Sequence, residues 1–355
     1  MHFNHGTIPA NYLKYIKYKK SIFFLLIFGL ISLILISLSL GVVTIPFSQI
    51  LKSLAGIETL KKFDLIIWNI RMPQILTAVV AGAGLSIAGT VMQSILRNPL
   101  GSPFTLGISS AAAFGAAFAV MISSLNLSFL PAFLINLTCS KYFLTISALI
   151  FSIIAALIIF FISQLRSSTP EIMVLTGIAL GSLFTSSTMF LQYFADDVQL
   201  STMVFWTFGD TGRTNYEEIA VISVITILCS IYFIYNSWNY NAIDTGDETA
   251  TGLGVNVKNI RLTGMFLSSF LTGVIISFCG VIGFIGLITP HILRKIIGSD
   301  NRFLLPLSLP AGAIILLFSD TVARLILLPN VLPVSILTSF IGAPVFLFLV
   351  VRGNR

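Results

Sequence analysis

Asp320 and Arg324 stand four residues apart in an otherwise apolar and hydroxyl-bearing stretch. On a helix this spacing puts both side chains on one side, and charges inside an apolar segment are costly unless paired. The plain expectation is a structural ion pair. The second is that Arg324, together with Arg71, offers a positive fork to carboxylates of an acidic partner. His291 follows Pro290 but has no histidine or carboxylate three or four residues away, so a metal or proton role is not supported; capping or hydrogen bonding to a neighbouring helix is expected. The other two histidines, His2 and His5, cannot assemble a catalytic cluster with it. Cys139, Cys229 and Cys279 lie in or beside apolar segments with no metal spacing or disulfide framework, and read as small packing residues. No G-x-x-x-x-G-K-[ST] phosphate loop occurs. The chain is therefore expected to hold no catalytic set, no metal and no cofactor, and not to bind ATP through such a loop.

The elements that position these residues follow from composition. Of 355 residues, 56% are hydrophobic and only 9% charged, against roughly 25% charged in soluble domains. Apolar runs long enough to cross about 30 Å of hydrocarbon recur from Ile22 onward. Within lipid the backbone must pair internally, leaving helices or a closed barrel, and uninterrupted runs favour helices over short alternating strands. The expectation is an all-α integral membrane protein of about ten transmembrane helices. They are placed at 21–43, 72–95, 104–124, 141–164, 171–194, 217–238, 259–280, 282–298, 304–326 and 333–352, forming one transmembrane domain over 21–352. A segment at 1–20 precedes it and a short tail at 353–355 follows. Residues 125–140, apolar but broken by Pro131, are expected to form an interfacial or re-entrant piece on the outer side.

Lys14, Lys17, Lys19 and Lys20 precede an apolar run that exceeds the roughly 7–15 residues of a signal core, so a retained first helix is expected. With the N-terminus inside, thirteen of the twenty lysines and arginines fall in cytoplasmic segments, the direction that the positive-inside rule requires. Both termini are then cytoplasmic, as is the longest loop, 239–258. The net charge of +7 is scattered between apolar runs, which argues for membrane lipid rather than nucleic acid as the partner of the basic residues.

Three segments carry more information. Asn98-Pro99-Leu100-Gly101-Ser102-Pro103 breaks the second helix at its cytoplasmic end, as a tight turn or a gate. In 239–258, Asp244 or Thr245 is placed to cap a short helix that has Asp247 and Glu248 in its first turn. Gly252 and Gly254 are placed to end it and to start a second, so two short helices form a rigid knob for another protein. Glycines in the second helix (Gly82, Gly84, Gly89) and the fifth (Gly177, Gly181) read as packing positions. Thr176, Ser182, Thr185 and Ser186 on the fifth helix, with Trp206 beyond it, suit a bulky polar ligand in passage. The second and seventh helices, after Arg71 and Arg261, start alike on opposite sides, which hints at an inverted repeat.

Six segments in order resemble the FecCD family of ABC importer permeases: Arg71-Met72-Pro73, Asn98-Pro99-Leu100, Leu253-Gly254-Val255, Gly283 to Arg294, Asp320 to Arg324, and Gly342-Ala343-Pro344. The resemblance implies a type II importer permease in a bacterial cytoplasmic membrane, paired with a second permease subunit as a homo- or heterodimer. Two cytoplasmic ATPase subunits and an extracytoplasmic substrate-binding protein are the further partners it implies. Residue by residue it implies a cytoplasmic gate at Asn98 and Leu100, and ATPase coupling through Asp244, Gly246, Glu248, Thr249, Leu253 and Gly254. It also implies binding-protein docking at Arg71 and Arg324. Two positions depart from the pattern: Gln74 stands where a second basic residue often follows the proline, and Pro170-Glu171 stands where some relatives place small hydroxyl residues as a second gate. The expected cargo is a ferric siderophore, with haem and cobalamin as alternatives. An ion-coupled secondary transporter or a membrane enzyme would need intramembrane carboxylates or a histidine cluster, and Asp320 is the only acid expected well inside a span.

Overall fold

The computed structural model describes residues 10–57, 60–124, 138, 140, 142–165 and 169–352. The piece expected at the interface over 125–140 lies outside the described residues except for 138 and 140, and so does the tail at 353–355. Helix α1 spans Ala10–Ser39, starting well before the expected residue 21. No glycine or proline falls between Ala10 and Phe28, so nothing stops the helix from running through the lysines. At 1.5 Å per residue its 30 residues reach about 45 Å, and the basic turns project beyond the hydrocarbon.

Two short helices follow, α2 at Phe47–Leu54 and α3 at Lys61–Ile66. A π-turn at Ile67–Arg71 then leads into α4, Met72–Ile95. Pro73 explains the π-turn, because it has no N–H to donate back along the helix. The Trp68 carbonyl, five residues earlier, accepts instead from the Tyr216 hydroxyl. Next come α5 (Ile108–Ser124), α6 (Phe143–Leu165), α7 (Pro170–Phe194), α8 (Asp197–Thr207) and α9 (Tyr216–Tyr235). The chain continues with α10 (Ser237–Asp244), α11 (Asp247–Gly252), α12 (Val257–Cys279), α13 (Ile285–Ile297), α14 (Asn301–Ile326) and α15 (Val334–Arg352). Among the described residues, seven helices are long and apolar enough to cross a bilayer; α5, α13 and α15 are shorter. Together they occupy the ten expected positions.

The eighth position differs from expectation. Instead of a continuous span at 282–298, residues 280–284 are not helical and only Ile285–Ile297 is. Phe284 takes a left-handed backbone, φ 67°, which a right-handed helix cannot include. Thirteen residues of helix cover about 20 Å, short of the roughly 30 Å of a hydrocarbon core.

Helix α4 sits at the centre, buried along nearly its whole length and packed by α9, α12, α13 and α14. Gly82 meets Gly312 of α14, and Gly89 meets Gly286 of α13; at both places backbone lies against backbone. Small residues allow this approach where lipid gives helices no hydrophobic reason to associate. Helix α7 is peripheral: it packs on α5, α6 and α8 and leaves Leu175, Ile178, Leu183 and Phe190 exposed.

Candidate functional site

The polar end of α4 is the centre of the site. Asn98 N–H donates to the Gln93 carbonyl at 3.1 Å and Arg97 N–H to the Ser94 carbonyl at 3.0 Å, the paired bonds of a Schellman C-cap. Arg97, not glycine, takes the left-handed position, φ 46°, an uncommon state for a residue with a Cβ. The broken segment then folds on Asn98: Leu100 N–H donates to Asn98 Oδ1 at 2.9 Å, and Gly101 N–H to the Asn98 carbonyl at 3.0 Å. This turn leaves the Leu100 side chain 43% exposed.

The 239–258 loop forms the two short helices α10 and α11. Gly246 joins them at φ 123° and Gly254 follows at φ 84°, conformations that glycine adopts without steric cost. Ala242, Ile243 and Ala250 form a small core with Val255, Val257 and Ile260, so the knob is packed and not a solvated turn. Glu248, Thr249 and Leu253 are exposed on its outer surface. Asp244 is used differently from its expected capping role: its Oδ2 accepts from Asn301 Nδ2 at 2.8 Å and from Ser94 Oγ at 3.3 Å, which ties the knob to α14 and α4.

Asp247 makes the second tether. Its carboxylate takes two bonds from Arg261, at 3.0 and 2.7 Å, and lies 3.4 Å from Arg97. The hydrogen bonds from Arg261, aided by the charges of Arg261 and Arg97, hold the Asp247 carboxyl below its ordinary pKa. Arg261 is 2% exposed, and its Nε donates to the Ile95 carbonyl at 3.0 Å. One guanidinium thus joins α12, α11 and the last turn of α4. Neighbouring Gln93 donates to the Leu287 carbonyl at 3.2 Å and accepts from Arg294, which ties in α13. Sequence reasoning placed Arg261 only as a helix start and did not identify Arg97, Ser94 or Asn301. Their partners lie on other helices, and no spacing rule relates them.

On the opposite face, Arg71 and Arg324 are buried, 5% and 7% exposed. Arg71 donates to the Leu38 and Val43 carbonyls, closing the end of α1. Arg324 lies 3.0 Å from Asp320, the expected ion pair, and also donates to Ser37. Asp320 Oδ1 accepts from Gln74 at 2.9 Å and from Thr211, so the departure at Gln74 has a structural use. Neither guanidinium is presented on a rim in the single chain. His291 differs from expectation as well: its Nε2 has no hydrogen-bond partner among the described residues.

A groove of about 440 Å³ runs between α5 and α7, lined by Ser110, Ser182, Thr185 and Ser186 together with Phe104 and Met189. Three of the four expected hydroxyls are therefore there, without Thr176. Trp206 packs instead against Ala112, Ala116 and Ile276. Phe104, which the sequence did not single out, is 46% exposed and also borders an adjoining cavity of about 170 Å³ with Ser102, Thr272 and Phe284. Hydroxyls on a peripheral face of a membrane helix call for water, cargo or another protein opposite them.

The profile of the FecCD transport family matches residues 27–352. An ABC transporter permease protein of Methanocaldococcus jannaschii is 47% identical, covering 97% of this chain and 98% of its own length. The hemin transport system permease protein of Yersinia pestis is 38% identical over 81% of this chain and 84% of its own. A solved structure described as an inward-facing conformation of a metal-chelate type ABC transporter superposes with a TM-score of 0.81 at 32% identity, covering 94% of this chain and 99% of that one. A multi-pass helical core, no phosphate loop of its own, and a family match along nearly the whole length lead to one assignment: the chain belongs to the FecCD transport family and is a permease subunit of an ATP-binding-cassette importer.

Proposed function

We propose that this permease carries a ferric siderophore or a related iron chelate into the cytoplasm, driven by two ATPase subunits that dock on α10 and α11. The observation that carries the mechanism is the tether between that knob and the Asn98–Leu100 turn. Ser94, Ile95 and Arg97 are each bonded to or through Asp244, Asp247 or Arg261. A displacement of the knob by the ATPases therefore moves the end of α4, and Asn98 and Leu100 with it. Glu248, Thr249 and Leu253 supply the contact surface, while Gly246 and Gly254 set its shape. This face is read as cytoplasmic because it carries the lysine-rich start of α1. The hydroxyl groove of α7 is read as facing the pathway and the second permease subunit. The haemin relative and the metal-chelate structure support an iron-chelate cargo, and haem itself is the second reading.

The gate has a direct test. In proteoliposomes without ATPase, Leu100→Ala is expected to raise the leak of a small solute severalfold, because an exposed side chain at the turn is removed with no loss of core packing. An unchanged leak in folded protein would place the gate elsewhere.

Docking of an extracytoplasmic binding protein is proposed on the opposite face, where Arg71 and Arg324 hold the ends of α1, α4 and α14. Arg71→Ala leaves two carbonyls without their donor, at about 1–3 kcal/mol, and is expected to slow association of the binding protein. If association and its salt dependence stay at wild-type values in folded protein, Arg71 has no part in docking.

A further inference from the structure

Where α1 meets the start of α14, a cavity of about 420 Å³ is lined by Lys19, Lys20, Phe23, Arg302, Phe303 and Leu307, among others. It lies on the same face as the knob. Lys19 is 1% exposed, an unusual state for a lysine, since a buried ammonium is costly unless paired. Its Nζ donates to the Tyr15 hydroxyl and sits 3.8 Å from the Tyr15 ring centre and 4.4 Å from that of Phe303. No carboxylate lies within ion-pair distance of Lys19 or Lys20 among the described residues. Arg302 is the one cation of the three with an acid, Asp300 at 2.6 Å, and its guanidinium lies over the Trp238 ring of α10 at 4.3 Å. The cavity therefore has an excess of positive charge at its rim. Below it, Phe23, Leu26, Leu304 and Leu307 form an apolar cluster.

We infer that this cavity is a binding site for the phosphodiester headgroup of an anionic membrane lipid, with Lys19 and Lys20 as its charge partners and the α1–α14 groove holding an acyl chain. Charge and position select this occupant. Two cations without acids line the cavity immediately before the apolar run of α1 that begins at Ile22, where a membrane surface is expected, and juxtamembrane basic groups gain about 1 kcal/mol each from an anionic surface. The aromatic walls from Phe23, Phe24 and Phe303 suit the boundary between headgroup and acyl chain. A bound phosphate would supply the counter-charge that Lys19 lacks. The site also adjoins the knob, because Arg302 bridges the cavity and Trp238. Lipid occupancy should then stiffen α10 where it joins α14.

The test uses the full-length permease in nanodiscs and in detergent, with phosphatidylglycerol, phosphatidylcholine and inorganic phosphate as separate probes. Native mass spectrometry is expected to show retention of phosphatidylglycerol over phosphatidylcholine. Lys20→Gln, at an exposed position, should lower that preference about fivefold, the equivalent of one basic group. Lys19→Gln should lower it at least as much, and both variants should keep the wild-type affinity for phosphatidylcholine. Equal retention of the two lipids by the wild type, or an unchanged preference in folded Lys20→Gln, would overturn the site. Inorganic phosphate competing as well as the lipid at equal concentration would overturn the lipid as its occupant. The outcome is separate from the transport reading, since none of these measurements needs cargo, ATPase or binding protein.

Discussion

Gly89→Ala is expected to prevent assembly of the membrane domain. A Cβ at Gly89 would lie 1.8 Å from the Gly286 carbonyl oxygen and 2.5 Å from its Cα. The obstructing atoms are backbone, so no rotamer change relieves the clash, and α13 must separate from α4. Overpacking a well-filled interior costs about 1–3 kcal/mol and sometimes more; a contact this short belongs at the upper end. The close approach would also be lost to association, since without it α4 and α13 lose the dispersion contacts that hold helices together in lipid. The expected readout is little or no monodisperse protein after detergent extraction. Gly252→Ala is the control: a Cβ there meets nothing within 4 Å, and alanine is the better helix former by up to about 1 kcal/mol. Wild-type yield and thermal stability for Gly89→Ala would show that α4 and α13 are not packed as described.

Arg261→Ala is expected to separate ATP hydrolysis from transport. The buried guanidinium holds both oxygens of Asp247 and the Ile95 carbonyl. Removing it leaves Asp247 to Arg97 alone and leaves a carbonyl at the end of α4 unbonded. Asp247 is 40% exposed, so water takes up part of the loss, and the local cost is about 2 kcal/mol, within the range for hydrogen bonds to charged groups. On the proposed coupling, a knob held to α4 only through Ser94–Asp244 and Arg97–Asp247 still docks an ATPase but transmits less of its movement. Uptake should fall by up to about thirtyfold, the population change that about 2 kcal/mol corresponds to, while ATP hydrolysis by the assembled complex continues. Arg261→Lys should recover only part of the loss, because an ammonium cannot reproduce the two parallel bonds. The ratio of ATP hydrolysed to cargo imported decides the matter. If that ratio is the same in wild type and Arg261→Ala, the tether does not couple the two. An Arg261/Asp247 double-mutant cycle read on stability separates the pair from its surroundings.

Much of this architecture was legible in the residues. A bilayer about 30 Å thick imposes long apolar runs, so span positions follow from hydropathy, and the family match along 27–352 agrees with the motifs quoted in order. Local chemistry was legible as well. The Asn98–Pro103 break appeared as a turn at the end of α4, and 239–258 appeared as a pair of short helices separated by glycine, though they meet at Gly246 and not at Gly252 and Gly254. Asp320 and Arg324, four apart on one helix, appeared as a pair. Each of these depends on neighbours within about one turn, and sequence records such neighbours directly.

What the sequence could not show is contact between residues distant in the chain. Arg261 and Asp247 meet across two helices, Ser94 reaches Asp244, and Gly89 touches Gly286, separations that no periodicity encodes. The interrupted span at 280–284 escaped for a related reason. Its residues are apolar enough to read as helix, and the left-handed turn at Phe284 is set by the surrounding packing, with Gly342 against the Phe284 ring. Arg71 shows the same limit from the other side. As a sequence position it is an arginine at a helix start, free to meet a partner. In the folded chain, burial against Leu38 and Val43 decides its hydrogen bonds, because a guanidinium removed from water must be satisfied by the nearest carbonyls.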